Sequence, residues 1–168
     1  MSTLFEYDDS PLNEGMFQEC RLEGDFTLTS GRKSGVFYDF DLLKPRETAV
    51  YIEQLIKQIP EEVFMEADFI AAPALGGIAP GFLMAFAKNK PLVVVDKEGK
   101  VRGPEFKGGN YLVVDDVITS FKSANKVREA LPRSRCLGVA AFIFRGAWSD
   151  LRAQDVPAFY LARKEQEV

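Results

Sequence analysis

The chain of 168 residues contains no histidine. That absence removes every mechanism that needs an imidazole: a Ser–His–Asp triad, a Cys–His pair and any histidine-ligated metal. Cysteine is nearly absent as well. Cys20 and Cys136 stand far apart with no CxxC, which excludes a zinc site, leaves no basis for a disulfide framework and predicts two buried thiols. There is no excess of positive charge. Lys and Arg total 21 against 25 Asp and Glu, a net charge of −4, whereas a general nucleic-acid binder is basic. The opening Met1–Asp9 stretch is acidic and unlike a secretory leader. From Phe69 to Ala87 no charged residue occurs, a length that could span a bilayer, but Pro73, Gly76, Gly77, Pro80 and Gly81 interrupt it. These absences predict a soluble, cytoplasmic protein with neither a membrane nor a nucleic-acid partner.

What is present is an ordinary globular composition, 46% hydrophobic and 27% charged, enough to bury a core within a single domain over 1–168. Residues 1–24 read as a helical lead-in through Leu12, Met16 and Cys20. Phe26–Leu28 and Val36–Tyr38 read as short strands around a polar turn. Val50, Leu55, Ile56 and Ile59 mark an amphipathic helix over 46–59, stopped by Pro60. Strands are expected at 68–72, 91–95, 111–114, 136–144 and 158–161, with helices at 80–88 and 123–131 and a polar loop over 96–110. Several strands are continuous apolar runs alternating with helices. This predicts an α/β fold with a parallel sheet covered on both faces.

In such sheets ligands bind beyond the carboxyl ends of the strands, so the loops 73–79, 96–110 and 115–123 are the candidates. The third carries the strongest signal. The apolar run Tyr111–Val114 leads into Asp115-Asp116, then Val117-Ile118, then Thr119-Ser120-Phe121-Lys122-Ser123 at the start of a helix. Hydroxyls and backbone N–H groups at a helix N-terminus form an anion site, and adjacent acids can accept hydrogen bonds from sugar hydroxyls. Together they describe a site for a ribose 5-phosphate. A helix cap beside solvated acids is the alternative on spacing alone.

Tyr111 to Ser123 resembles the phosphoribosyl-pyrophosphate (PRPP) motif of type I phosphoribosyltransferases. Phe26-Thr27-Leu28-Thr29-Ser30-Gly31-Arg32-Lys33-Ser34 resembles the N-terminal signature of the orotate phosphoribosyltransferase family. Ala74-Leu75-Gly76-Gly77-Ile78 falls where that family has its pyrophosphate loop, and Asp96 to Gly103 is similar to its mobile basic loop. The similarity runs from about residue 12 to 163. It implies a type I phosphoribosyltransferase-like fold, with a small N-terminal hood formed largely by residues 1–40, and transfer of ribose 5-phosphate from PRPP to orotate.

By the same resemblance Asp115 and Asp116 would hold the ribose hydroxyls and favour positive charge at the sugar. Thr119, Ser120 and Ser123 would bind the 5-phosphate, and Ala74, Leu75, Gly76 and Gly77 the pyrophosphate. Lys33 would approach PRPP or the base, Phe37 or Tyr38 would flank the base, and Arg145 would pair with the orotate carboxylate. Lys97, Lys100 and Arg102 would close over the pyrophosphate from the neighbouring subunit of a homodimer. Mg²⁺ would arrive on PRPP and water rather than in a protein cage.

The chain departs from the family pattern at named places. Phe121-Lys122 replaces glycines of the phosphate loop, and Lys122 could supply an ammonium in their stead. Asp96 replaces an arginine, placing a negative charge where pyrophosphate would bind. Arg102 replaces the histidine of the basic loop, and Phe144 replaces an acid before Arg145. Two function classes follow: a phosphoribosyltransferase with orotate as the leading acceptor, and a non-catalytic module that binds PRPP or nucleotides in a regulatory role.

Overall fold

In the computed structural model, which describes residues 17–28 and 30–164, neighbouring residues of the central strands point to opposite faces and both faces are buried. On strand β3 (Phe69–Pro73), Ile70 joins one apolar cluster while Phe69 and Ala71 join another. Strand β6 (Asn110–Val114) divides in the same way, Leu112 and Val114 against Tyr111 and Val113. Period-two geometry thus turns each continuous apolar run into two faces that both need covering.

The cover on one face is α1 (Pro45–Gln58), α2 (Glu61–Glu66) and α3 (Ile78–Lys88), through Ile52, Leu55, Phe64 and Met84. On the other it is α4 (Lys122–Ala130) and the short α5 (Trp148–Arg152), through Ala124, Val127 and Leu151. Pro45 opens α1 at a position where its missing N–H costs nothing.

The remaining strands are β4 (Leu92–Val95), β5 (Val101–Arg102), β7 (Val117–Ile118), β8 (Arg135–Phe144) and β9 (Ala158–Arg163). They form a seven-stranded sheet in the order β5-β4-β3-β6-β8-β7, with β9 on the other edge of β8. All pairings are parallel except β4 with β5. The ten-residue β8 is long enough to take β6 along its first half and β7 along its last two residues. A separate antiparallel hairpin, β1 (Arg21–Thr27) with β2 (Lys33–Tyr38), forms its own two-stranded sheet.

The α/β expectation holds, and the breakers in 69–87 do separate a strand from a helix. Several details differ. Residues 21–24 are strand, because Arg21 to Glu23 pair with Val36 to Tyr38. Only a 3₁₀ turn, Gln18–Cys20, remains of the helical lead-in among the described residues, and Leu12 and Met16 lie outside them. Pro60 does stop α1, but it also serves as the N-cap of α2. The loop expected over 96–110 contains β5, and β7 and α5 were not expected at all. Both cysteines are free and buried, and burial pushes the Cys20 thiol up to about 12, which keeps it unreactive.

Candidate active site

Asp115 and Asp116 leave the carboxyl end of β6 with their backbone pinned to β8. Asp115 N–H donates to the Ala140 carbonyl at 2.9 Å, and Phe142 N–H to the Asp116 carbonyl at 3.0 Å. The carboxylates are held as well. Asp115 Oδ1 accepts the Asp116 N–H at 2.8 Å, and Asp116 Oδ1 accepts the Val117 N–H at 2.7 Å. Burial raises both carboxyls above the ordinary carboxylate range, and for Asp115 the neighbouring Asp116 charge adds to the effect.

The chain then makes β7 beside the end of β8 and enters the phosphate-type loop. Phe121 takes a left-handed backbone, φ 62° and ψ 10°, and caps α4 without a side-chain acceptor for the helix N–H groups. Glycine takes that conformation without the cost a side chain incurs. Phe121 is itself on the wall of the site's cavity. It is buried and packs 6.2 Å from the ring of Phe144, another departure from the family pattern.

The glycine loop touches the acid pair. A Cβ on Gly76 would come within 2.6 Å of Asp116 Oδ2, and one on Gly77 within 2.7 Å of the Pro73 carbonyl and 2.9 Å of the Val114 carbonyl. A methyl at 76 would require the Asp116 carboxylate to shift and one at 77 would meet backbone, so the loop lies directly against the end of β6. The Ala74–Leu75 peptide is cis.

The hairpin β1–β2 closes the opposite side. Arg145, at the end of β8 and 2% exposed, donates from Nη1 to the Val36 carbonyl and from Nη2 to Ser34 Oγ, both at 3.0 Å. Its guanidinium lies 5.3 Å from the Tyr38 ring centroid. One buried arginine therefore seats the hairpin on the sheet, leaving the Phe37 ring exposed at the rim.

These elements enclose a cavity of about 530 Å³. Its wall includes Phe37, Tyr38, Ala74, Leu75, Gly76 and Lys97, together with Asp115, Asp116, Thr119, Lys122, Ser123 and Arg145. Five expected residues are not on that wall. Ser120 is half-buried beside it, and Gly77 backs onto Pro73 and Val114. Lys33 is exposed, with Nζ donating at 3.0 Å to Oγ1 of Thr27, which does line the cavity. Lys100 and Arg102 are exposed because β5 folds back on β4, which carries them away from the wall.

Asp96 is on the wall, as its position required, but its charge is engaged locally. Its Oδ1 accepts the N–H of Glu98 at 3.0 Å and of Lys100 at 2.9 Å, and its Oδ2 lies 3.9 Å from Arg102 Nε. Those contacts hold its carboxyl below the ordinary value, the Lys100 N–H contributing most. The turn that Asp96 organises therefore keeps its carboxylate ionised, so a negative charge stands on the cavity wall with Arg102 as a nearby cation. Sequence reasoning missed Thr27, Asp39, Asp41 and Lys126, which also line the cavity. A signal existed for Asp39, whose carboxylate accepts the Asp41 N–H at 3.1 Å in a side-chain turn typical of Asp-x-Asp.

No family model matches the chain. Curated relatives do. The chain is 34% identical over 128 residues to the orotate phosphoribosyltransferase of Pyrococcus horikoshii, covering 71% of this chain and 67% of that protein. It is 32% identical over 133 residues to that of Erythrobacter litoralis, covering 75% and 69%. Among solved structures, the orotate phosphoribosyltransferase of Aeropyrum pernix superposes with a TM-score of 0.74 at 28% identity, covering 86% of this chain and 88% of that one. The Mycobacterium tuberculosis orotate phosphoribosyltransferase in complex with PRPP superposes with a TM-score of 0.61 at 25% identity, covering 82% and 86%.

Proposed function

Because the chain belongs to the orotate phosphoribosyltransferase family, we propose that it transfers ribose 5-phosphate from PRPP to orotate, forming orotidine 5′-monophosphate and pyrophosphate in pyrimidine synthesis. The observation that carries this reading is the convergence on one cavity of the Asp115–Asp116 pair, the Gly76 loop and the N-terminus of α4.

The chemistry asks little of acid–base groups. As the bond to pyrophosphate breaks, the sugar becomes oxocarbenium-like, and catalysis consists of placing the base nitrogen and stabilising charge. Asp115 and Asp116 accept the ribose hydroxyls and set negative charge beside the cationic carbon. Thr119, Ser123, Lys122 and the first N–H groups of α4 hold the 5-phosphate, where the helix dipole favours an anion. The loop 74–77 receives pyrophosphate against its backbone. Phe37 and Tyr38 flank the base, and the Arg145 guanidinium supplies positive charge at the orotate end. None of these roles needs an imidazole.

Mg²⁺ enters bound to PRPP as part of the substrate. Such an ion is held by phosphate oxygens and water, since Mg²⁺ seldom uses an all-protein cage. Its contribution is to neutralise the departing pyrophosphate.

We assign the chain to the cytoplasm and to a homodimer. Ile78, Phe82 and Phe86 recur every fourth residue along α3, and all three are exposed, beside exposed Leu75. An apolar stripe of this kind suits a second copy of the chain. A partner could also deliver Lys100 and Arg102, which are exposed and not on the wall of their own cavity. Among the described residues no helix is long and apolar enough to cross a membrane.

The test is direct. Purified protein with PRPP, Mg²⁺ and orotate consumes orotate, followed by ultraviolet absorbance. Intact PRPP binding without turnover would instead identify a regulatory binding module.

A further inference from the structure

Lys126 lies one helical turn beyond Lys122 on α4, and both side chains reach the cavity wall. Lys126 does more than add charge there. Its Nζ donates a 2.9 Å hydrogen bond to the carbonyl oxygen of Lys97, in the turn between β4 and β5. The other bonds that shape this turn are local. Asp96 N–H donates to the Lys100 carbonyl at 3.0 Å, Gly99 N–H to the Asp96 carbonyl at 3.0 Å, and the Asp96 carboxylate takes the N–H groups of Glu98 and Lys100. They give the turn its form but do not attach it to the rest of the site. The Lys126 bond joins it to the helix that begins at the phosphate loop.

Resting on the proposed reaction, we infer that Lys126 is a positioning residue that latches the Lys97 turn to the phosphate-binding helix before PRPP arrives. Holding a turn in place beforehand removes part of the ordering cost that a ligand would otherwise meet. Lys97, on the cavity wall, is then presented to the pyrophosphate end while Lys122 serves the 5-phosphate end. An ammonium carries three donors, so the Lys97 carbonyl occupies one and the others remain for water or phosphate oxygen.

The test compares Lys126→Met, which keeps an unbranched stem of similar length without donors, with Lys126→Arg, which keeps donors and charge. Amide hydrogen exchange over residues 96–102 is measured in ligand-free protein, and PRPP affinity by calorimetry with Mg²⁺. The expected result for Lys126→Met is exchange faster by about fivefold in the turn and PRPP binding weaker by about fivefold, the net worth of one ordinary intramolecular hydrogen bond. Lys126→Arg restores both. Unchanged exchange in Lys126→Met overturns the latch whatever happens to affinity, because loss of charge alone would weaken binding without freeing the turn. Faster exchange with unchanged affinity also overturns it, since the turn would then not matter to PRPP. The exchange measurement needs no substrate, so failure of wild-type orotate turnover refutes the reaction without obscuring the latch.

Discussion

The rings of Phe121 and Phe144 lie 6.2 Å apart at an interplanar angle of 47°, in the core between the sheet and α4. They occupy two of the positions where the chain departs from its family's pattern, a loop glycine and an acid before Arg145. An acid at 144 would place a charge among Phe121, Trp148 and Tyr160, whose rings surround Phe144. The two departures thus form one packed unit, and the left-handed backbone at 121 is stabilised by a buried ring.

Phe121→Gly tests this unit. Glycine relieves the left-handed φ, worth about 1 kcal/mol, but removes a ring whose loss from a core costs about 3–5 kcal/mol. The expected net destabilisation is ~2–4 kcal/mol in urea unfolding. Stability equal to wild type would mean that the ring does not support the loop.

Lys122→Ala addresses the other replaced glycine. Lys122 is exposed, so thermal stability should be unchanged. PRPP affinity should fall by about fivefold in calorimetry and should depend less on salt than in wild type. Unaltered affinity would remove Lys122 from the phosphate site.

Asp115→Asn separates stability from activity. Burial raises the folded-state pKa of Asp115 above its unfolded value. Between those two values the folded state binds more protons than the unfolded one, so the residue makes stability fall as pH rises through that window. The variant should therefore melt higher than wild type at pH 7, by about 2–4 °C for each kcal/mol relieved. The gap should close as pH falls toward the ordinary Asp range. Turnover should drop by about 100-fold or more. A variant less stable at pH 7 than at pH 4, relative to wild type, would contradict the assignment.

Gly76→Ala and Gly77→Ala should fail differently. A methyl at 76 meets the Asp116 carboxylate, a side chain that can move, whereas one at 77 meets the backbone carbonyls of Pro73 and Val114. Gly76→Ala is expected to fold near normally and lose turnover by about tenfold or more. Gly77→Ala is expected to lose about 1–3 kcal/mol of stability. Circular dichroism melts and the orotate assay distinguish the two.

Much of this protein was legible in its sequence because the relevant signals are local. Apolar runs of strand length, helical spacing in α1, and Asp-Asp before a hydroxyl-bearing helix start are all short-range patterns, and they marked most of the sheet and three loops at the ends of its strands. Two-residue strands carry no periodicity, so β5 and β7 exist only as pairings with β4 and β8. The 21–24 segment becomes strand only because β2 lies beside it. Asp96 read only as a repulsive charge until the fold showed its carboxylate organising the turn beside Arg102, and Arg145 read as a ligand until it was found seating the β1–β2 hairpin as well. Lys126 was a surface lysine in the sequence, and only tertiary structure, which sets it against the Lys97 carbonyl 29 positions away, gave it a place in the site. The sequence by itself determined which chemistries are available and where strands end. Which side chains meet depends on contacts between distant segments, and those are settled only when the sheet closes and its two faces are covered.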